Sequence, residues 1–275
     1  MPNKGSATVL WTVEGRENGP GIATVTLDRP PLNILDLELI AGLHAAAEEL
    51  AMRDDVQLIV LRGAGPKAFS AGVAIEIHTP DRIPEMIERF HGALRAWWAL
   101  EPLTVAAVHG HCLGGGMELA AVCDLVVADR RARFGQPEIR VGCYPPVAAA
   151  LYPALLGPGR TLDLISTGRT LDAIEAERIG FVTRLTEVSE SDAATSEEVT
   201  ELDRALAQLS EEILSHSAVA QRLGKKAVRA SLGDRFERAL AASEQIYLDE
   251  MASTRDVDEG ARAFLEKRPA VWKHR

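Results

Sequence analysis

The sequence predicts an α/β fold, because short and nearly continuous apolar runs alternate with helical periodicity over the first half of the chain. A second observation completes the architecture: beyond about Leu151 the pattern becomes almost wholly helical, with only Phe181 to Leu185 reading as extended. Ile22 to Leu27 alternates apolar and small polar residues and reads as a strand. Leu39, Leu43, Ala46 and Leu50 then recur at helical spacing within Leu35 to Met52. Val56 to Leu61 and Leu103 to Val108 are apolar runs ended by Gly63 and Gly110, as expected of strands buried on both faces. Gly116 to Val122 reads as helix, and Leu125 to Ala128 and Ala132 to Phe134 as short strands.

The helical windows of the second half are Arg160 to Thr167, Asp172 to Ile179, Leu202 to Ser215, Val219 to Ala230, Arg235 to Met251 and Val257 to Lys267. Thr186 to Glu201, acidic and without an apolar period, is expected to be an exposed loop or a frayed helix start. The division expected is a core over residues 1–200 and a helical segment over 201–275.

Composition excludes several classes of function. The 275 residues are 47% hydrophobic and 25% charged, which is ordinary for a globular chain. Thirty Lys and Arg against 40 Asp and Glu give a net charge of −10, which repels phosphate backbones, so no nucleic-acid partner is expected. The short basic clusters Arg130, Arg131, Arg133 and Lys225, Lys226, Arg229 read as solvated faces. Cys112, Cys123 and Cys143 form no C-x-x-C pair and are odd in number, which suits a reducing compartment. The N-terminus lacks a secretory pattern, and the cytoplasm is the expected location. Val141 to Gly159 is uncharged, but its prolines and glycines would break a membrane span, and it reads as turns around a short buried helix.

Gly63-Ala64-Gly65-Pro66-Lys67-Ala68 matches a loose dinucleotide fingerprint, yet the residues after it show no helical period to receive a pyrophosphate. Ala68-Phe69-Ser70-Ala71-Gly72 resembles a nucleophile elbow, again without the following helix, so Ser70 is expected to hydrogen-bond its own loop. His109 and His111 flank Gly110, but no third ligand sits at metal spacing, and no metal is expected. Gly114-Gly115-Gly116-Met117-Glu118 opens a helix directly after an apolar strand. Three glycines there let a ligand approach the main chain while the free N–H groups of the helix start face negative charge. Glu138, after Pro137, is a second carboxylate that a turn can aim, although spacing alone does not bring it to Glu118.

In their order along the chain, Leu27-Asp28-Arg29-Pro30, Ala68-Phe69-Ser70-Ala71-Gly72, Gly114-Gly115-Gly116-Met117-Glu118, Cys123-Asp124, Phe134-Gly135-Gln136-Pro137-Glu138 and Ala263-Phe264-Leu265-Glu266-Lys267-Arg268 resemble the crotonase superfamily, the enoyl-CoA hydratase and isomerase family. The resemblance implies a spiral of ββα units with a C-terminal helical trimerisation segment, assembled as a homotrimer or homohexamer. It implies an oxyanion hole from the main-chain N–H groups of Val73 and Gly115, and a water-holding pair Glu118 and Glu138. By the same resemblance Leu32, Ala71, Val73, Ile75 and Gly114 contact CoA or substrate, and no cofactor is needed because CoA belongs to the substrate. Possession of both glutamates favours hydration of an enoyl-CoA. An isomerase, a C–C hydrolase or a non-catalytic acyl-CoA binding protein are the alternatives.

Two segments depart from the family pattern: Ala74 replaces a usual Asp, and Tyr144-Pro145-Pro146-Val147-Ala148 replaces a Pro-Gly-x-Gly run. The Gly142-Cys143-Tyr144-Pro145-Pro146 stretch, the His78-Thr79-Pro80 turn and the C-terminal Phe264 to Trp272 are similar to the branch that hydrates cyclic dienoyl thioesters.

Overall fold

The computed structural model describes residues 4–5, 8–17, 19–186, 200–232 and 234–274. Most of Thr186 to Glu201, expected to be a loop, lies outside the described residues. Lys4–Gly5 (β1), Val9–Arg16 (β2) and Gly19–Leu27 (β3) pair antiparallel. Leu37–Ala51 (α1) follows, its first turn capped by Asp36, whose side chain accepts from the Leu39 N–H at 2.9 Å.

A ββα unit then repeats. Val56–Gly63 (β4) and Ala68–Ser70 (β5) precede Ile83–Ala99 (α2); Leu103–Val108 (β6) and His111–Leu113 (β7) precede Gly115–Val122 (α3). Leu125–Asp129 (β8) and Arg133–Gly135 (β9) lead through a 3₁₀ turn at Pro137–Val141 into Pro146–Leu155 (α4) and Pro158–Thr167 (α5). Thr170–Asp172 (β10), Ala173–Arg178 (α6) and Arg184–Thr186 (β11) complete the sheets. The remaining helices are Glu201–Leu214 (α7), Ala218–Leu232 (α8), Arg235–Asp249 (α9) and Arg255–Leu265 (α10).

The longer strand of each unit joins one sheet, in the order β1-β2-β3-β4-β6-β8-β11, and the shorter strand joins a second, in the order β10-β9-β7-β5. From β3 onward the large sheet is parallel, with Val60 opposite Val105 and Val105 opposite Leu125. This explains the unbroken apolar runs. Ile59 and Leu61 face the main core with Leu39, Leu43 and Leu50 of α1, while Leu58, Val60 and Val105 face Leu202, Leu206, Leu209 and Ile213 of α7. Of the three-residue strands, β5, β7 and β10 carry too little period to stand out in the sequence. The Pro-rich Val141 to Gly159 segment contains α4, with Val147, Ala148, Leu151 and Tyr152 buried. Among the described residues no helix is long and apolar enough to cross a membrane.

One expectation is corrected. Lys225 and Arg229 are not a solvated face. Lys225 Nζ lies 2.7 Å from Asp124 Oδ2 and donates to the Pro102 carbonyl at 2.8 Å, and Arg229 reaches Asp124 Oδ1 at 2.7 Å while stacking on Trp98. Burial of their stems holds α8 on the carboxyl end of α3.

Candidate active site

The turn from β7 into α3 brings together two chain segments that are distant in sequence. Gly114 adopts φ +52°, and a Cβ on Gly116 would stand 2.4 Å from the Ser70 carbonyl oxygen, so only glycine lets the β5 loop lie against the helix start. Ser70 is buried and donates to the Asn33 carbonyl at 2.8 Å, while its Oγ accepts from the Gly72 N–H at 3.2 Å. It serves the loop, as expected, and no helix follows it to make an elbow.

The loop beyond Ser70 forms a parallel bridge between Val73 and Leu35: Leu35 donates to Gly72 O at 2.9 Å, and the Ala74 N–H donates to Leu35 O at 3.1 Å. That pairing uses the groups flanking Val73 and turns the Val73 N–H the other way. Gly115 is the first residue of α3, where an N–H has no intrahelical acceptor. Neither N–H has a hydrogen-bond acceptor among the described residues. The two positions are neighbours, since a Cβ on Gly115 would stand 2.6 Å from Val73 Cγ2.

These donors line a cavity of about 260 Å³ together with Ala71, Ile75, Gly114, Glu118 and Glu138. Leu32 is not among its lining residues; its carbonyl instead accepts from the Ala71 N–H at 2.9 Å and so supports the loop. Apolar walls come from Met86, Ile87 and Phe90 of α2, from Val141, and from Tyr247 of α9.

Glu118 is 3% exposed and accepts from the Ala148 N–H at 2.9 Å, with Val147 N–H beside it. Burial raises its carboxyl to about 7 against the pull of those two donors. Glu138, half-buried on the 3₁₀ turn, is held well above the ordinary carboxyl range, first by burial and then by the charge of Glu118. The ionisation of Glu138 therefore depends on the charge of Glu118.

Gln136, fully buried, is a neighbour that the sequence did not single out. With its carboxamide oxygen taking the Tyr152 hydroxyl at 2.6 Å, its nitrogen donates to the Glu138 carboxyl oxygens at 3.1 and 3.2 Å. The opposite orientation sets oxygen against oxygen, so hydrogen bonding selects this one. The departures also reach the site. Tyr144, Pro145 and Pro146 line the cavity, and Ala148 in the replaced run is the residue that holds Glu118.

His109 and His111 do not meet: His109 pairs with the Gly65 carbonyl at 2.7 Å and His111 is exposed. The three cysteines are buried and free, and burial pushes Cys143, in the cavity wall, up to about 12.

Comparison with known proteins identifies the family of the chain. The sequence profile of the enoyl-CoA hydratase/isomerase family matches residues 17–275. The chain is 34% identical to the cyclohexa-1,5-dienecarbonyl-CoA hydratase of Thauera aromatica over 275 residues, covering 100% of both chains. It is 33% identical to the short-chain-enoyl-CoA hydratase of Clostridium acetobutylicum, covering 90% of this chain and 92% of the other. The crystal structure of an enoyl-CoA hydratase from Mycobacterium avium subsp. paratuberculosis superposes with a TM-score of 0.80 at 28% identity, covering 96% of this chain and 98% of that one. Fold, profile and full-length similarity together make this chain a member of the enoyl-CoA hydratase/isomerase family, with the crotonase fold.

Proposed function

We propose that the protein adds water across the double bond of an α,β-unsaturated CoA thioester, with a cyclic dienoyl thioester as the favoured substrate. The observation that carries this reading is the pair of protonation-shifted carboxyls, Glu118 and Glu138, on one cavity with two unpaired main-chain N–H groups. The thioester carbonyl accepts from Val73 and Gly115, whose donors stabilise the enolate oxygen by roughly 3 to 4 kcal/mol each in the transition state.

The carboxyls then divide the proton work. Glu118, stabilised as carboxylate by the Ala148 and Val147 N–H groups, takes a proton from water as the water oxygen bonds to the β-carbon. Glu138, kept protonated by burial and by its charged neighbour, gives its proton to the α-carbon as the double-bond electrons leave through the enolate. The product is a 3-hydroxyacyl thioester, and the pair has exchanged a proton to be restored through solvent.

The cyclic dienoyl preference draws on the full-length similarity to a hydratase of that name and on the Tyr144-Pro145-Pro146 wall that this chain has in place of the usual glycines. Assay of purified protein against straight-chain and alicyclic enoyl-CoA thioesters tests both levels. Hydration of the alicyclic dienoyl compound with the highest kcat/KM is expected; water uptake by none of them would end the hydratase reading.

The homotrimer or homohexamer implied by the resemblance would cover Val219, Leu223, Val228, Ile246 and Leu248, which α8 and α9 leave exposed. Sedimentation equilibrium giving a monomer would contradict it.

A further inference from the structure

On the face that α2 turns to the cavity, Met86, Ile87 and Phe90 are apolar and His91 is not. The His91 side chain is 1% exposed, and its Nδ1 lies 2.8 Å from Glu244 Oε1 on α9. Arg95, one turn further along α2, donates to Glu244 Oε2 at 2.8 Å. Burial would raise the Glu244 carboxyl, but the hydrogen bonds from His91 and Arg95 hold it down at about 2. Ionised, it can only accept, so Nδ1 of His91 carries the proton.

Burial also lowers the imidazole below its ordinary value, which leaves a neutral ring with Nε2 as a lone-pair acceptor. Among the described residues the hydrogen bond of the His91 ring is the one at Nδ1, and no donor reaches Nε2. An acceptor in the wall of an apolar cavity costs desolvation whenever the occupant brings no donor. The hydration chemistry at Glu118 and Glu138 makes no use of it.

We infer that His91 selects the acyl group: its Nε2 accepts a hydrogen bond from a hydroxyl carried on the acyl portion, away from the thioester. The tautomer makes the choice chemical. A hydroxyl can donate to Nε2, whereas an ether or ketone oxygen at the same place would set acceptor against acceptor, and a hydrocarbon would leave Nε2 unpaired. Glu244 and Arg95 are positioning residues that fix the ring and its proton. The inference rests on the hydratase reading above and refines its substrate to a hydroxylated enoyl-CoA.

The test uses the full chain and a series of alicyclic enoyl-CoA thioesters, unsubstituted or carrying one hydroxyl at each remaining ring position in turn. For at least one position, wild-type kcat/KM for hydration is expected to exceed that of the unsubstituted compound by about tenfold, the scale of one hydrogen bond. In His91→Leu that ratio is expected to fall to near one. A wild-type ratio of one or less at every position, or an unchanged ratio in the variant, overturns the inference. Should His91→Leu fail to fold, calorimetry of wild type with the matching saturated thioesters decides: tighter binding of a hydroxylated member by about tenfold is expected, and equal affinity throughout overturns it. Calorimetry also separates the two claims, since a protein that hydrates nothing yet prefers the hydroxylated ligand fails as a hydratase but keeps the recognition site.

Discussion

The Ala148 N–H donates to Glu118 Oε1 at 2.9 Å, and among the described residues no main-chain donor of another residue does the same for Glu138. The main-chain donors restrain the rise of Glu118 to about 7, whereas burial and the charge of Glu118 hold Glu138 well above the ordinary range despite the Gln136 amide at its oxygens. That asymmetry supports the proposed assignment of Glu118 as base and Glu138 as acid.

Glu118→Gln and Glu138→Gln are each expected to lower kcat by roughly 10² to 10⁴-fold with thioester affinity near wild type, because acid–base groups act in the transition state. The double variant should lose less than the product of the two factors. Near wild-type turnover in either single variant would remove the two-carboxyl mechanism and favour a one-glutamate isomerase.

The kcat/KM of wild type is expected to rise with pH through about 7 as Glu118 loses its proton, and to fall again at higher pH as the pair loses the proton held on Glu138. The acid limb should vanish from the residual activity of Glu118→Gln. A limb that survives that substitution belongs to another group.

Stability carries the same signature with a definite sign. Unfolded, Glu118 loses its proton near 4.5; folded, at about 7, so between those values the native state binds more protons and is weakened as pH rises. The cost levels off above about 7, on the order of 3 kcal/mol. Glu118→Gln keeps an acceptor for Ala148 and removes the charge, so its melting temperature relative to wild type should climb between about pH 5 and 7. A constant difference, or one that moves the other way, would mean that Glu118 is not held protonated.

Asp124 joins Lys225 and Arg229 beneath α8. Asp124→Ala leaves a buried ammonium without its counter-charge and should cost about 3 kcal/mol or more in urea unfolding, whereas Lys226→Ala on the exposed side should change stability by less than about 0.5 kcal/mol. Equal effects would reduce the triad to surface charge.

Much of the frame was legible because burial on both faces leaves a continuous apolar signature: β4 and β6 read directly from Val56 to Leu61 and Leu103 to Val108. The helix α2 is not among the windows read from the sequence, although Ile83, Ile87, Phe90, Leu94 and Trp97 recur at helical spacing. What spacing could not give was the partner of its buried face, and hence the cavity wall. The site divides in the same way. The glycines ahead of Glu118 announced an anion-seeking helix start, but Glu138, Gln136 and the His91–Glu244 pair depend on contacts between distant segments, 153 residues apart in the last case, which no local period encodes. The reading of Lys225 as solvated failed for that reason: its carboxylate lies across the fold at Asp124.

Turnover of an alicyclic dienoyl-CoA thioester in ¹⁸O-water, followed by mass spectrometry of the product, tests the hydration claim most directly. The product is expected to gain the mass of one labelled water with the label on the acyl group, and both glutamine variants should slow its appearance. A product of unchanged mass with a moved double bond, or one with a cleaved carbon–carbon bond, would contradict it.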